Sequence, residues 1–426
     1  MASSFGHARP VPLWLNTATD SRTVGDRSRP QQRSGGAVPG PARSPFVIEA
    51  FGFETAAEIC DEWADLVSRS LEPNVFMEPG FALAAAQHLA RADRPTFVAV
   101  WQRESSDDRG RLLALWALVL PRTFFGSQIA TLWCHKQSAL GLPVLDAARA
   151  NELIAAVFVW LADAFPRVRI LVFPKLVRSG PTFARILAYA LATGLEWRLL
   201  DQHERPILLA NGAGVNISNE GYRSLARRRR QLEKYGKVLV RSSRDPAEIR
   251  NAAEAFLALE ESGWKGRRRT ALLCDSSRAA FARTMTRRLS REGKCRIDAL
   301  TIDGRPIAMG IILRTRDRAS FWKIAYDEAF AAQSPGVQLA LETTQIQMSD
   351  EACSATDSCS APGNGMIERL WRDRLPIVDL ALPLYPAANE MLGGFAWRNV
   401  LRRRLRRRLS RWVRERIRRE HRKTES

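Results

Sequence analysis

The sequence predicts an α/β protein built on a mixed sheet, with two halves that share a plan. Three observations predict it. Apolar residues recur with strand-like and helix-like periods in alternation from Phe46 onward. An Asp303-Gly304 pair joins two apolar runs, the signature of a tight antiparallel hairpin. Each half reads as helices, then an antiparallel strand group, then helix–strand alternation. The 426 residues are 46% hydrophobic and 26% charged, which excludes wholesale disorder, a collagen and a coiled coil.

The first 45 residues are rich in Arg, Ser, Pro and Gly and have no apolar period, so disorder is expected there. FVIEAF is the first strand, and TAAEICDEWADLVSRS is a helix with Ile59, Trp63, Leu66 and Val67 at helical spacing. FALAAAQHLAR is the next helix. PTFVAVWQ and RLLALWALVLP read as adjacent strands around a polar loop. Then follow the helix NELIAAVFVWLADAF, the strand VRILVFP, the helix GPTFARILAYALATG and the strand LEWRLLD. The loop ANGAGVNIS sets a domain boundary near Asn216, dividing 46–215 from 216–395.

The second half opens with the helix EGYRSLARRRRQLEKYG and the strand KVLVRSS. Asp245-Pro246 starts the helix PAEIRNAAEAFLALEES, with a good cap and Pro at the first helical position, and Gly263 stops it. SRAAFARTMTRRLSREG is a helix. CRIDALTI and PIAMGIILR form the hairpin, and ASFWKIAYDE is a third strand. A turn leads into the helix ending QLALETTQIQM. ATDSCSA is a short strand, GMIERLWRDR a helix and IVDLALPL a last strand.

Net charge is +20, but most of it sits in the tails. Residues 398–426 hold 14 Lys and Arg against three Glu, and residues 1–45 hold six Arg against two Asp. The basicity therefore bears on partners and location more than on the main activity. The tail 396–426 forms a basic amphipathic pattern through Leu401, Leu405, Leu409 and Trp412. Such a helix docks on its own domain or lies on an anionic membrane surface. Nucleic acid is disfavoured, since no interleaved aromatic platform or base-reading motif is present.

Six scattered cysteines without a C-x-x-C pair fit a reducing compartment. With no signal-peptide pattern and no apolar run long enough to span a bilayer, the expected location is cytoplasmic, peripheral to the inner membrane face if the tail binds lipid. The five histidines lack ligand spacing, so neither a metal site nor a Cys–His nucleophile is expected, and G-x-S-x-G and Walker loops are absent.

The sharpest local feature is Gln333-Ser334-Pro335-Gly336-Val337-Gln338, a loop between a strand and a helix. Unpaired N–H groups at a helix start, together with the dipole, bind phosphate. Gly336 permits close approach; the alternative is a plain helix-starting turn.

The order hairpin, third strand, Gln-x-x-Gly-x loop, helix, strand resembles the acetyltransferase (GNAT) superfamily. FLALEESGWKG, RTAL, FARTMTRRL, DGRPIAMGIIL, WKIAYDEAFAAQSPGVQL and TDSC look like its CelD-like group, associated with cellulose and exopolysaccharide biosynthesis and related to FemAB-type transferases. That likeness covers 220–385, and LEPNVFMEPGFALAAAQHL and LGLPVLD extend it into the first half. The resemblance implies a tandem GNAT-like fold, the C-terminal unit the more clearly GNAT. It implies acetyl-CoA or another acyl-CoA as co-substrate, with Gln333, Ser334, Gly336, Val337 and Gln338 around its pyrophosphate. Gln338 stands where the family pattern has a small residue.

Acyl transfer from a thioester needs a base for the nucleophile and a proton for the leaving thiolate. Asp327, Glu328 and Asp357, at strand ends, are the candidate bases, or else cap turns and pair with Arg. Tyr326 supplies the thiolate's proton or packs. Trp264 and Lys265 hold the acceptor, with Trp264 stacking and Lys265 gripping an anion, or are a core plug and a solvated charge. Arg227 to Arg230 are solvated, or form a basic wall toward anions.

The expected function is acyl-CoA-dependent N- or O-transfer, of an acetyl group by preference, to a sugar, polysaccharide precursor or other small amine or hydroxyl acceptor through a ternary complex. The alternatives are a FemAB-like transferase using aminoacyl-tRNA and a non-catalytic scaffold of a polysaccharide-synthesis complex.

Overall fold

The computed structural model describes residues 46–90, 93–102, 110–121, 128–215, 217–361, 365–399 and 401. The N-terminal segment expected to be disordered, and the basic tail beyond Leu401, lie outside the described residues.

The first half contains β1 (Phe46–Phe51), α1 (Phe53–Glu58), α2 (Cys60–Ser68), α3 (Pro79–Leu89), β2 (Thr96–Gln102), β3 (Arg111–Val119), β4 (Ile129–Leu132) and β5 (Val144–Leu145). It continues with α4 (Ala150–Ala164), β6 (Ile170–Val177), α5 (Pro181–Thr193) and β7 (Arg198–Leu209). The helix expected as one piece over 55–70 breaks at Ile59, whose φ of −104° and ψ of 26° leave the helical region. Ile59 is nonetheless buried with Trp63 and Leu66, so the apolar face survives the break.

The second half contains α6 (Asn219–Leu232), β8 (Val238–Ser243), α7 (Pro246–Ser262), α8 (Trp264–Arg267), α9 (Ser276–Arg291), β9 (Cys295–Ile302) and β10 (Arg305–Thr315). Then come β11 (Arg318–Tyr326), α10 (Pro335–Met348), β12 (Ala355–Asp357), α11 (Gly365–Glu368) and β13 (Asp373–Pro383). Side-chain caps fix three helix starts: Ser218 accepts from Gly221 N, Asp245 from Ala247 N and Asp275 from Arg278 N. Asp303 and Gly304 both take positive φ, as the hairpin turn between β9 and β10 requires.

Among the described residues all the strands share one mixed sheet in the order β1-β2-β3-β4-β6-β13-β7-β12-β11-β10-β9-β8, with β5 on β3. This is the mixed α/β fold that the residue pattern predicts. Its centre is an exchange. β13, from the second half, pairs antiparallel with β6 and β7, while β7, from the first half, pairs with β12. The last strand of each half thus lies against the other half.

Three elements differ from expectation for that reason or a local one. LEWRLLD continues eight residues past Asp201 to Leu209, because β13 and β12 supply hydrogen bonds to a polar stretch without a strand period. ATDSCSA is strand only over Ala355–Asp357 and then turns, with Cys359 at φ 52°. GMIERLWRDR is helical only over Gly365–Glu368, since Asp373 already belongs to β13.

The largest core cluster joins the halves. Phe81 of α3 meets Phe281 of α9 edge-on with centroids 5.3 Å apart, and Trp322 of β11 stands edge-on to both. Beside them, Lys294 Nζ lies 2.8 Å from the buried carboxylate of Glu78, which also accepts from Thr315. Among the described residues no helix is long and apolar enough to cross a membrane.

Candidate active site

Parallel strands β11 and β12 pair only where Arg318–Ser320 face Ala355–Asp357. Beyond that point β11 runs on to Tyr326 while the other chain turns away, so the sheet opens. A cavity of about 830 Å³ lies at this opening. The start of α10, one face of α6 and the α7–α8 junction complete its walls.

A bulge sets which way β11 points its side chains. Ile311 pairs with Lys323 and Ile312 with Phe321, leaving Trp322 without a partner. Simple alternation would place Trp322 with Ile324 and Tyr326. The extra residue instead sends Trp322 and Ala325 into the core formed with α7 and α9. Ile324 and Tyr326 pack toward the cluster containing Leu339 of α10. The cavity therefore has an α10 side and an α7–α8 side.

On the α10 side, Ser334 adopts a left-handed conformation, Pro335 begins the helix and Gly336 follows. A Cβ at Gly336 would stand 3.2 Å from the Tyr326 ring and 3.4 Å from Met366 Sδ, so glycine keeps this turn slim. Arg228 of α6 donates to Ser334 Oγ. A guanidinium, a hydroxyl and the positive end of a 14-residue helix thus converge on one rim. Of the five residues expected around a pyrophosphate, Ser334, Gly336 and Val337 line the cavity. Gln333 and Gln338 do not: the buried Gln338 side chain donates to the Gln333 carbonyl at 2.8 Å and braces the loop from behind. That bond gives the departure from the small-residue pattern a structural use.

On the α7–α8 side, Lys265 Nζ lies 2.8 Å from Glu260 Oε1 and 2.9 Å from the Ile324 carbonyl. Glu260, only 2% exposed, also accepts from Leu272 N at 2.8 Å. Lys265 therefore ties the α8 turn to β11 and lines the cavity with its charge already engaged. Trp264 is 41% exposed on the cavity wall, with Arg268 over its ring at 5.3 Å. It is not a core plug.

The three carboxylates expected as bases all have partners, and none lines the cavity. Asp327 accepts from Ala329 N at 3.0 Å and pairs with Arg305 at 2.9 Å. Glu328 accepts from Trp264 N and pairs with Arg267, whose hydrogen bond, with that of the amide, holds its carboxyl below the usual range. Asp357 is buried against Arg205 at 2.6 Å and accepts from Cys359 N at 2.9 Å. Tyr326 does line the cavity.

Two further residues belong to the site. Arg228 was legible by spacing: Leu225, Arg228 and Leu232 fall on one helical face, so this arginine of the run turns inward while Arg223, Arg227 and Arg230 are exposed. Lys323 interrupts the apolar run FWKIAY and lines the cavity. Burial, opposed by Glu260 and reinforced by Lys265 and Arg278, pushes its ammonium down to about 8. Burial also raises the Cys359 thiol, which makes it a poor thiolate. Among the described residues no group of three or more His, Cys, Asp or Glu could hold a metal ion.

An opened pair of parallel strands, with a helix start on one side and a helical junction on the other, frames a single cavity with two chemically distinct walls. Residues 220–353 match the acetyltransferase (GNAT) domain, and that domain supports an acyltransferase. No curated protein matches the chain. Among solved structures it is similar to a tandem GNAT protein from the clavulanic acid biosynthesis pathway, at 14% identity over 80% of this chain and 99% of that one, TM-score 0.38. It is also similar to FemX, at 10% identity over 79% and 98%, TM-score 0.48. L-PGS from Bacillus licheniformis matches at 13% identity over 64% and 81%, TM-score 0.41.

Proposed function

We propose that the protein transfers an acyl group, acetyl by preference, from acyl-CoA to the amine or hydroxyl of a sugar, polysaccharide precursor or similar small acceptor. The observation that carries this reading is the rim where Arg228 meets Ser334 at the start of α10, beside the cavity between β11 and β12. The CoA pyrophosphate rests on that rim, and its pantetheine arm follows the opening between the strands. The acceptor enters from the α7–α8 side, where Trp264 offers a flat face to a sugar ring. Attack on the thioester carbonyl then breaks the C–S bond within one ternary complex, and the CelD-like phrases support a glycan acceptor.

Asp327, Glu328 and Asp357 serve this site as positioning groups. Glu328 fixes the Trp264 turn, and Asp357 holds the turn after β12. The exposed Arg223, Arg227 and Arg230 beside the cavity favour one second reading, an aminoacyl-tRNA donor.

Calorimetry with acetyl-CoA, and with bulk tRNA as competitor, tests the choice. Acetyl-CoA is expected to bind, and Arg228→Ala to weaken it about 10–100-fold, the loss typical of a hydrogen bond to a charged group. Wild-type protein that ignores every acyl-CoA, or loses it to tRNA, would sink the CoA reading.

A further inference from the structure

We propose that Lys323 Nζ is the general base that takes the acceptor's proton during acyl transfer. The inference rests on the acyltransferase reading above and names a residue within the same site.

Position comes first. Alternation from Ile324 and Tyr326 puts Lys323 with Ala325 on the α7–α8 side of β11, where the acceptor is placed, and its side chain lines the cavity. Its ammonium lies over the Trp322 ring, 5.1 Å from the centroid.

Charge comes second. The groups that face Lys323 are Glu260 on α7, Lys265 on α8, Arg278 on α9 and Cys359 after β12. Glu260 is the carboxylate among them, and both of its oxygens are in use, by Lys265 Nζ and by Leu272 N. Arg278 donates to the Thr270 and Arg269 carbonyls, and the Cys359 thiol stays protonated. Among the described residues no carboxylate forms an ion pair with Lys323. A half-buried ammonium beside two other cations loses its proton easily, and burial is the main reason its value falls to about 8.

The chemistry balances. The acceptor nitrogen or oxygen forms a bond to the thioester carbonyl carbon and gives its proton to the lone pair of neutral Lys323. The C–S bond breaks, CoA leaves as the thiolate and takes a proton from water, and Lys323 returns its own to solvent. The neutral fraction of Lys323 grows with pH, so turnover rises through about 8 and then levels.

Two measurements on the full chain decide the matter. Competitive labelling with acetic anhydride, read residue by residue by mass spectrometry, should show Lys323 titrating near 8, well below the ordinary lysine range. Thiol release from acetyl-CoA, with glucosamine as the amine probe, should fall at least about 100-fold in Lys323→Met while calorimetric acetyl-CoA affinity stays unchanged. Lys323→Arg should not rescue, and added ethylamine should restore part of the rate to Lys323→Ala. If Lys323 titrates with surface lysines, or Lys323→Met keeps its rate across pH, the proposal is overturned. If wild-type protein binds no acyl-CoA, the acyltransferase reading is what fails, whatever Lys323 does.

Discussion

Arg205 of β7 and Asp357 of β12 form an ion pair 2.6 Å long at the seam between the two halves. Arg205 is 3% exposed and also donates to the Ala139 carbonyl, while the second Asp357 oxygen accepts from Cys359 N. One pair therefore fixes a strand from each half and the turn that borders the cavity. A buried charge left without its partner is strongly destabilising. Asp357→Ala is expected to cost about 3–5 kcal/mol, read from the shift of a urea unfolding curve. A base with no structural duty would give the opposite pattern, with turnover lost and the unfolding midpoint unchanged.

Gly266 makes the Trp264-Lys265 turn possible. A Cβ there would stand 1.7 Å from the Glu261 carbonyl oxygen, a backbone atom that cannot swing aside. Gly266→Ala must push α8 off the end of α7 and lengthen the Lys265–Glu260 contact. The expected loss is about 1–3 kcal/mol of stability, with the acceptor KM raised more than acetyl-CoA affinity changes. Unaltered thermal unfolding and unaltered KM would show that the turn tolerates the methyl group.

Much of this was legible in the residues, and what was not depends on features that a local pattern does not carry. The α7 start at Asp245-Pro246 and the hairpin at Asp303-Gly304 rest on chemistry carried by two adjacent residues, and both stand where the pattern places them. The second half of β7 was not legible, because QHERPILL becomes a strand only through partners distant in sequence. The bulge at Trp322 is likewise invisible to a period of two, and it turns Trp322 to the same side as Ala325. The loop from Gln333 to Gln338 announced itself by its glycine, but Arg228, more than a hundred residues upstream, completes its rim.

The strand exchange predicts how the halves behave when the link between them is cut. β13 lies between β6 and β7, and β7 lies on β12, so separation requires breaking all three of these ladders and the Phe81–Phe281 core. A protease site engineered between Ala210 and Val215, where the chain turns out of β7, should give two fragments that co-elute in gel filtration. They should part only in denaturant. Fragments that elute separately in plain buffer would contradict the exchanged pairing.

Glu328 gives the prediction with a pH sign. Its carboxylate receives Arg267 and the Trp264 N–H, and both contacts favour the ionised form and hold its value below the ordinary glutamate range. A group depressed on folding contributes stability above its unfolded value and loses it as pH falls through its folded value. At neutral pH, Glu328→Gln should therefore unfold at a lower temperature than wild type. The gap should hold on mild acidification and close only below the ordinary carboxylate range, where wild-type Glu328 is itself protonated. Paired thermal melts across that range are the measurement. A gap that stays constant into strong acid, or widens there, would mean that the charge on Glu328 does not hold the Trp264 turn in place.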